Sequence, residues 1–141
     1  MKTVQLQKSI ITELTRKHPV RWLIGRYEEH TVLIDGFRAH LLNDDELYIN
    51  PDRLGVMGEE SLEFILDDYK VKDLCELTYT SSHRVDDYDL YRGDGFEIAI
   101  NPKYLKYFEE YELKGSGEHN PVYVYELGEL VGLVMPIRQT K

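Results

Sequence analysis

The residue types that most often carry catalysis are scattered through this sequence. Its five histidines show no spacing typical of a zinc site, and its single cysteine cannot complete such a site or form an internal disulfide. The segment Gly93-Asp94-Gly95 lacks the later glycine and the Lys-Ser or Lys-Thr pair of a phosphate-binding loop. No serine lies in a nucleophile-elbow sequence. The sequence therefore predicts a protein that is not an enzyme, with no catalytic residue and no cofactor.

Two acidic runs contain the ligands that a divalent cation prefers. They are Asp44-Asp45-Glu46 and the pair Asp86-Asp87 with the nearby Asp89. Acidic hairpin tips are commonly just solvated, so we predict no metal site. A carboxylate metal enzyme stays as an alternative, in which calcium, magnesium or manganese would raise the melting temperature by binding the folded state.

The composition indicates one soluble folded domain over residues 1–141. Hydrophobic residues make up 42% of the chain, and its eleven Tyr and four Phe argue against disorder. No apolar run reaches the roughly 20 residues that span a bilayer. The first eight residues lack the apolar stretch of a signal peptide. We therefore expect a cytoplasmic protein without a membrane partner.

The first third of the chain predicts a helix and a hairpin that would position any functional side chains. Leu6, Ile10, Ile11 and Leu14 recur at helical spacing, which predicts a helix over 6–18 that ends at Pro19. Residues 20–27 and 30–34 then read as two antiparallel strands, with Trp22 and Ile24 facing the core.

The middle of the chain is less regular. We expect a loop over 43–60, with a short strand at 47–49 and a turn of helix after Pro51, followed by a short helix over 59–69. Residues 71–80 and 88–100 predict a second strand pair around an acidic tip.

The last third predicts a second helix and another hairpin. Asn101-Pro102 opens the helix, which we expect to continue to about Tyr111. Strands over 121–125 and 130–135 then pair across a three-residue loop, Leu127-Gly128-Glu129. Helices and hairpins in this order predict an α+β fold, with two helices packed on an antiparallel β-sheet.

Charge is distributed unevenly along the chain, whose formal net charge is −9. Residues 1–26 contain six basic side chains and one acidic side chain, whereas residues 43–97 contain sixteen acidic and five basic ones. The acidic region would repel a phosphate backbone. Because screening limits each charge to about 8 Å at physiological salt, a locally basic face can still bind DNA. Any nucleic-acid contact is therefore expected from the N-terminal region or from the second predicted helix.

Two short phrases carry a family resemblance. Asp35-Gly36-Phe37-Arg38 follows the first predicted hairpin, and Val134-Met135-Pro136-Ile137-Arg138 ends the last one. They resemble the Thr-Asp-Gly-His-Arg-Leu and Val-Met-Pro-Met-Arg phrases of the bacterial β sliding clamp, the processivity subunit of the replicative DNA polymerase. The clamp domains share the order helix, strands, helix, strands. The resemblance covers about 6–42 and 93–138.

The resemblance implies a single DNA-clamp-like domain with an acidic insertion at about 43–92. The single-domain size fits a phage-encoded relative with a role in DNA replication. The chain departs from the family at Ile34, where the clamp usually has Thr, and at Ala39, where it usually has Leu.

In the clamp family the two phrases lie on neighbouring domains and line a pocket for a short hydrophobic peptide of DNA polymerase or another replication protein. Here both phrases occur in one domain. The resemblance therefore implies that two copies complete the pocket head to tail, as a homo-oligomeric ring. Two plainer interpretations stay open: Arg38 pairs with Asp35, and 135–137 is the end of an edge strand.

The clamp's helices face the central hole of the ring, so the resemblance also implies contact with duplex DNA. Such contacts are made to phosphates and do not depend on sequence. The basic residues in question are Lys8, Arg16, Lys17, Lys103 and Lys106. For Lys103 and Lys106 simple solvation is the alternative, because three glutamates follow them.

A second function class competes with the sliding-clamp interpretation. The chain would then be a clamp-fold protein-binding module that has lost the ring and acts as an inhibitor or DNA mimic through its acidic middle region. The first interpretation predicts an oligomer that binds DNA in a salt-dependent manner. The second predicts a monomer that is indifferent to DNA.

Overall fold

The computed structural model describes residues 1–17, 21–67, 70 and 73–137. Within these residues the chain forms two α-helices and eleven strands in two sheets. The helices are α1 (Thr3–Leu14) and α2 (Glu59–Leu66). The predicted α+β class is confirmed.

The strands form one large and one small sheet. In chain order they are β1 (Leu23–Tyr27), β2 (His30–Ile34), β3 (Arg38–Leu42), β4 (Gly55–Val56), β5 (Cys75–Glu76), β6 (Thr78–His83), β7 (Tyr88–Arg92), β8 (Glu97–Ile100), β9 (Tyr111–Gly115), β10 (Val122–Glu126) and β11 (Glu129–Val134). The large sheet has the order β4-β1-β2-β3-β11-β10-β9-β5, and the small sheet the order β6-β7-β8. Strands β1 and β4 pair in parallel, so the prediction of a purely antiparallel sheet is wrong at that edge.

The large sheet is covered on both faces because successive side chains of a strand point to opposite sides. In β3, Arg38, His40 and Leu42 face α1, whereas Ala39 and Leu41 face α2. Trp22 is buried on the α1 side, as predicted. The two helices therefore lie on opposite faces of the sheet.

The order of the large sheet divides into two halves that meet at β3 and β11. Each half begins with a helical segment and continues with three antiparallel strands: α1 with β1–β3, and a short 3-10 helix with β9–β11. The predicted order of helix, hairpin, helix, hairpin is thus found with a 3-10 helix in place of the second predicted α-helix. The lengths of the two helices differ from the prediction.

The first helix begins earlier and ends earlier than predicted. It covers Thr3–Leu14, and the hydroxyl of Thr15 donates to the carbonyl of Thr12 at 2.8 Å where the helix ends. Such a side-chain hydrogen bond competes with the next helical turn. Pro19, to which the end was attributed, lies outside the described residues.

The predicted helix over 101–111 is wrong. Asn101 caps only a 3-10 helix, Pro102–Leu105. The amide of Glu109 then donates to the carboxylate of Glu126 at 2.7 Å, and Glu110 has a φ of 42°. This left-handed residue reverses the chain, so Tyr111 begins β9 instead of ending a helix.

The predicted strand at 47–49 is also wrong. Two 3-10 helices, Asp44–Glu46 and Pro51–Arg53, flank this segment. The amides of Tyr48 and Ile49 donate to the side-chain oxygen of Gln7 at 2.8 and 3.1 Å. Because the Gln7 side chain on α1 accepts hydrogen bonds from these amides, they need no neighbouring strand.

The β10–β11 loop has two residues, Leu127 and Gly128, instead of the predicted three, because Glu129 pairs with Glu126. The predicted strand over 71–80 divides into β5 and β6, which belong to different sheets. Residues 68, 69, 71 and 72 of the predicted helix and strand lie outside the described residues.

The hairpins β1–β2, β6–β7 and β10–β11 and the helix α2 all occur. Residues 88–100 divide into β7 and β8 at a turn where Gly95 has a φ of 79°. The acidic region 43–92 supplies both edge strands of the large sheet and the helix that covers one of its faces.

Candidate functional site

A cleft between α1, the β2–β3 turn and the Pro102–Leu105 helix collects residues from both predicted site groups. Its volume is about 300 Å³. Ser9 and Glu13 share one face of α1 because they are four residues apart, and Arg16 follows in the turn after the helix. The other lining residues are Asp35, Phe37, Arg38, Lys103, Tyr104, Lys106 and Tyr107. Three residues of each predicted set thus share one concave surface, which we call the basic cleft.

Asp35 shapes the turn that carries Phe37 and Arg38 into the basic cleft. Its Oδ1 accepts hydrogen bonds from the amides of Phe37 at 2.8 Å and Arg38 at 2.9 Å. An aspartate that caps its own turn in this way fixes the backbone locally. The contribution of Asp35 to the site is therefore the position of the next two side chains.

Arg38 lies at the floor of the basic cleft and is 7% exposed. Its guanidinium carbon is 4.9 Å from the ring centre of Trp22 and 5.3 Å from that of Tyr104. Carboxylate oxygens of Asp35 and Glu13 are 3.5 and 3.7 Å from its nitrogens, which is longer than a hydrogen bond. Among the described residues, its Nε has no hydrogen-bond partner. Arg38 is therefore ion-paired with Asp35 and Glu13 in a desolvated position, and the interpretation that Arg38 pairs with Asp35 is confirmed.

Glu13 opposes Arg38 but is bound to another group. Its Oε2 accepts a hydrogen bond from the indole nitrogen of Trp22 at 2.5 Å. This bond fixes Glu13 in the wall of the basic cleft. Its charge offsets part of the positive charge of Arg38 at an ion-pair distance of 3.7 Å.

The opening of the basic cleft combines aromatic rings with ammonium groups. Phe37 is 55% exposed and stacks on Tyr104, with ring centres 5.8 Å apart and planes at 7°. Lys103 lies 5.2 Å from the ring centre of Tyr104, and Lys106 lies 5.7 Å from that of Tyr107. Burial raises the pKa of the Tyr104 hydroxyl, so this ring stays neutral at pH 7. Rings beside cations are typical of surfaces that bind nucleic acid.

The basic cleft is positive although the protein is acidic. Arg16, Arg38, Lys103 and Lys106 line it, against the two carboxylates of Glu13 and Asp35. The formal charge is therefore +2 at this surface, in a chain whose net charge is −9. An anion approaching this protein is attracted here and repelled by the acidic region.

Two of the predicted DNA-binding residues lie outside the basic cleft. Lys8 and Lys17 are exposed, and neither lines it. Lys8 follows the buried Gln7 on α1, about a quarter turn away from Ser9. The predicted basic set therefore divides into three cleft residues and two surface residues.

The C-terminal phrase lies beside the β2–β3 turn in the same copy of the chain. Val134 is paired with Arg38 across β3 and β11, and the amide of Met135 donates to the carbonyl of Phe37 at 2.8 Å. The two phrases are therefore neighbours within one copy. The ring, in which two copies complete the pocket, stays a prediction.

None of the residues 134–137 lines the basic cleft. Val134 is fully buried, and Met135 packs against the core on the α2 side. Pro136 is half-buried, and the amide of Ile137 donates to the carbonyl of Ala99 at 2.8 Å. Arg138 lies outside the described residues. The phrase thus supports the β2–β3 turn and links the large sheet to β8.

The sequence analysis missed Glu13, Tyr104 and Tyr107 as site residues. A signal for Glu13 was present, since it is the only acid among residues 1–26. The tyrosines alternate with Lys103 and Lys106 in the segment that was predicted as a longer helix. In that helix Tyr104 was expected to face the core, so the tyrosines were not considered as site residues.

Within the described residues, no group of three or more His, Cys, Asp or Glu side chains could hold a metal ion. In the same part of the chain, no helix combines the length and the apolar character needed to cross a bilayer.

The comparisons with known proteins give no further assignment. No protein-family model, no curated protein and no solved structure matches this chain.

Proposed function

We propose that this protein is a nucleic-acid-binding accessory protein that holds phosphate groups in the basic cleft without reading base sequence. The observation that carries the proposal is the convergence of Arg16, Arg38, Lys103 and Lys106 on one cleft of an acidic protein. Basic side chains that contact phosphates position a protein on DNA without specifying a sequence. No chemical step is part of this function.

The sliding-clamp resemblance supplies the wider proposal. A contact that depends on phosphates alone allows a protein to move along DNA. In DNA replication, the protein would remain on the duplex in this way and dock a polymerase or another replication protein. Phe37, which is exposed at the opening of the basic cleft, is the apolar contact for such a partner.

Binding to a duplex oligonucleotide at several salt concentrations tests the proposal. Replacing Arg16, Lys103 and Lys106 together by glutamine should reduce the slope of log K against log salt by about 3, because each lost phosphate contact contributes about 0.9. Fluorescence anisotropy with a labelled duplex measures the slope. The same experiment with a single-stranded oligonucleotide shows which form the basic cleft prefers.

The matched control replaces Lys8 and Lys17 by glutamine, since both are exposed and lie outside the basic cleft. This control should change the slope much less than the triple variant. An equal change of slope per charge removed in the two variants would show that net charge alone drives binding. An unchanged slope in the triple variant would contradict the proposal.

A second candidate function is the protein-binding module that acts as an inhibitor or DNA mimic. The observation that favours it is α2, which exposes Glu59, Glu60 and Glu63 together with Phe64, 86% exposed. An acidic helix with an exposed aromatic ring presents both the negative charge of a DNA mimic and an apolar contact for a partner. A monomer without measurable DNA binding would favour this candidate over the first.

A further inference from the structure

A second, larger groove lies between β9 and the face of the small sheet. Its volume is about 680 Å³, more than twice that of the basic cleft. Tyr79 and Tyr91 form one wall, with ring centres 5.8 Å apart and planes at 75°, and Tyr111 lies opposite on β9. We call this surface the tyrosine groove.

The charge of the tyrosine groove is opposite to that of the basic cleft. Asp89, Glu76 and Glu112 line it, and no Lys or Arg does. No described cation forms an ion pair with any of the three carboxylates. The lining residues of the groove therefore have a formal charge of −3, with no ion pair to a described cation.

A hydrogen-bond network holds the inner carboxylate and one ring in place. The hydroxyl of Ser82 donates to Oδ1 of Asp89 at 2.7 Å and lies 2.6 Å from the hydroxyl of Tyr79. Burial raises the pKa of Tyr91 far above its usual range, with Tyr111 and Asp89 contributing, so Tyr91 is a neutral ring. Asp89 and the rings thus keep fixed relative positions.

The rings of the tyrosine groove differ from other tyrosines of this protein. Tyr27, Tyr104, Tyr107 and Tyr125 each have a lysine ammonium within 4.7 to 5.7 Å of the ring centre. Within the described residues, no cation occupies that position over the three groove tyrosines. A cation over a tyrosine face is attracted by the ring, and more strongly where both are desolvated. The exposed ring of Tyr79 is therefore the one best placed to contact a cation from a partner.

The strand edge beside the groove suits a peptide better than a small molecule. Strand β5 pairs with β9 at Gly115 and Lys114, and the amide of Leu77 donates to the carbonyl of Leu113 at 2.9 Å. Within the described chain, no strand pairs with this edge of β9 at Tyr111. An extended peptide can add to such an edge through its main chain and place alternate side chains in a neighbouring pocket.

We propose that the tyrosine groove binds an extended basic segment of a partner protein, with an arginine side chain against the exposed ring of Tyr79 and its guanidinium at Asp89. Arginine fits because its planar group stacks on aromatic faces and pairs with carboxylates. This site is independent of the basic cleft, and the proposal does not depend on nucleic-acid binding.

Binding of a labelled peptide tests the proposal at physiological salt. The probe is an extended peptide with three arginines at alternate positions, and its matched control has citrulline at the same positions, which is neutral and of the same shape. We expect the arginine peptide to bind about tenfold more tightly or better. Equal affinities would overturn the proposal.

Two variants locate the binding site. Asp89→Asn should weaken the arginine peptide by about tenfold, and Tyr79→Ala, at a half-exposed ring, should also weaken it. Asp86→Asn makes the same charge change at the exposed tip of the β6–β7 hairpin and should leave affinity unchanged. An equal loss in Asp86→Asn would show nonspecific attraction and overturn the proposal.

Two further measurements separate the alternatives. Spermine carries the same kind of charge without a peptide backbone, so tighter binding of spermine than of the peptide would contradict a peptide partner. The basic-cleft variant with Arg16, Lys103 and Lys106 replaced should bind the arginine peptide as the unchanged protein does. A large change in that variant would place the peptide at the other site and overturn the assignment.

Discussion

His40 is the side chain whose environment is most unusual. It is fully buried on β3, with its ring centre 4.8 Å from that of Phe108 and 6.4 Å from that of Trp22. Among the described residues, neither ring nitrogen has a hydrogen-bond partner. Burial, with a contribution from the charge of Arg38, lowers the pKa of His40 to about 3. The folded protein therefore holds a neutral imidazole at neutral and mildly acidic pH.

This lowered pKa predicts a loss of stability in mild acid. The unfolded chain takes up a proton near pH 6.5, whereas folded His40 does not until about pH 3. The free energy of unfolding should therefore fall with decreasing pH across this window, by up to about 1.4 kcal/mol per pH unit. Between about pH 6 and about pH 4.5 the unchanged protein should lose about 2 kcal/mol more than His40→Leu.

Urea denaturation at a series of pH values measures the effect. His119 is exposed, so His119→Leu is the control and should keep the pH dependence of the unchanged protein. If the free energy of unfolding of His40→Leu depended on pH as that of the unchanged protein does, other groups, such as the carboxylates, would be the cause of the lower stability in acid.

At the scale of the elements, the junction between β3 and β11 joins the two halves of the large sheet. Gly132 pairs with His40 there. A Cβ at Gly132 would lie 2.4 Å from the ring of Phe108 and 2.7 Å from the carbonyl oxygen of Ala39. The close approach of the Phe108 ring to the sheet, and hence its stack on His40, requires glycine at this position.

Gly132→Ala should therefore lower the free energy of unfolding by about 2 kcal/mol, since extra atoms in a packed core displace their neighbours. Gly36→Ala is the matched control, because a Cβ at Gly36 meets nothing within 4 Å. It should change stability by less than about 0.5 kcal/mol. Urea denaturation of both variants measures the difference. A stability of Gly132→Ala equal to that of the control would contradict the close packing at this junction.

At the scale of the whole molecule, the fold separates two surfaces of opposite charge. The basic cleft lies between α1 and the β2–β3 turn, and the tyrosine groove lies beside β9. An anionic and a cationic partner could bind one copy at the same time. The two proposed sites therefore do not compete for the same surface.

The homo-oligomeric ring stays a prediction of the clamp resemblance. A ring should give one mass in solution that is a fixed multiple of 16.6 kDa and independent of concentration, because a closed set of head-to-tail contacts leaves no free interface. Light scattering after size-exclusion chromatography at several micromolar concentrations measures it. A mass of one chain at every concentration would end the ring hypothesis. The basic cleft lies within one copy and does not depend on the result.

Local features of the fold could be predicted from the sequence because local interactions produce them. Asn50 and Asn101 each accept a hydrogen bond from the amide two residues later and begin a short helix, as their Asn-Pro pairs predict. Leu127 and Gly128 have φ values of 51° and 80°, which close the β10–β11 hairpin. The alternation of apolar and polar residues and the turn residues were likewise sufficient to predict the first hairpin, β1–β2.

Contacts between distant segments decided the rest. Gln7 satisfies the amides of the predicted strand at 47–49, and Glu126 receives the amide that ends the predicted helix after Asn101. Neither partner is visible in a local pattern, because it lies about 40 or 17 residues away in the sequence. The amino-acid sequence by itself determined the α+β class, the hairpins and the unequal charge. Only the tertiary structure placed Arg38 beside Lys103 and Tyr91 opposite Tyr111, because pairing of distant strands brings those side chains together.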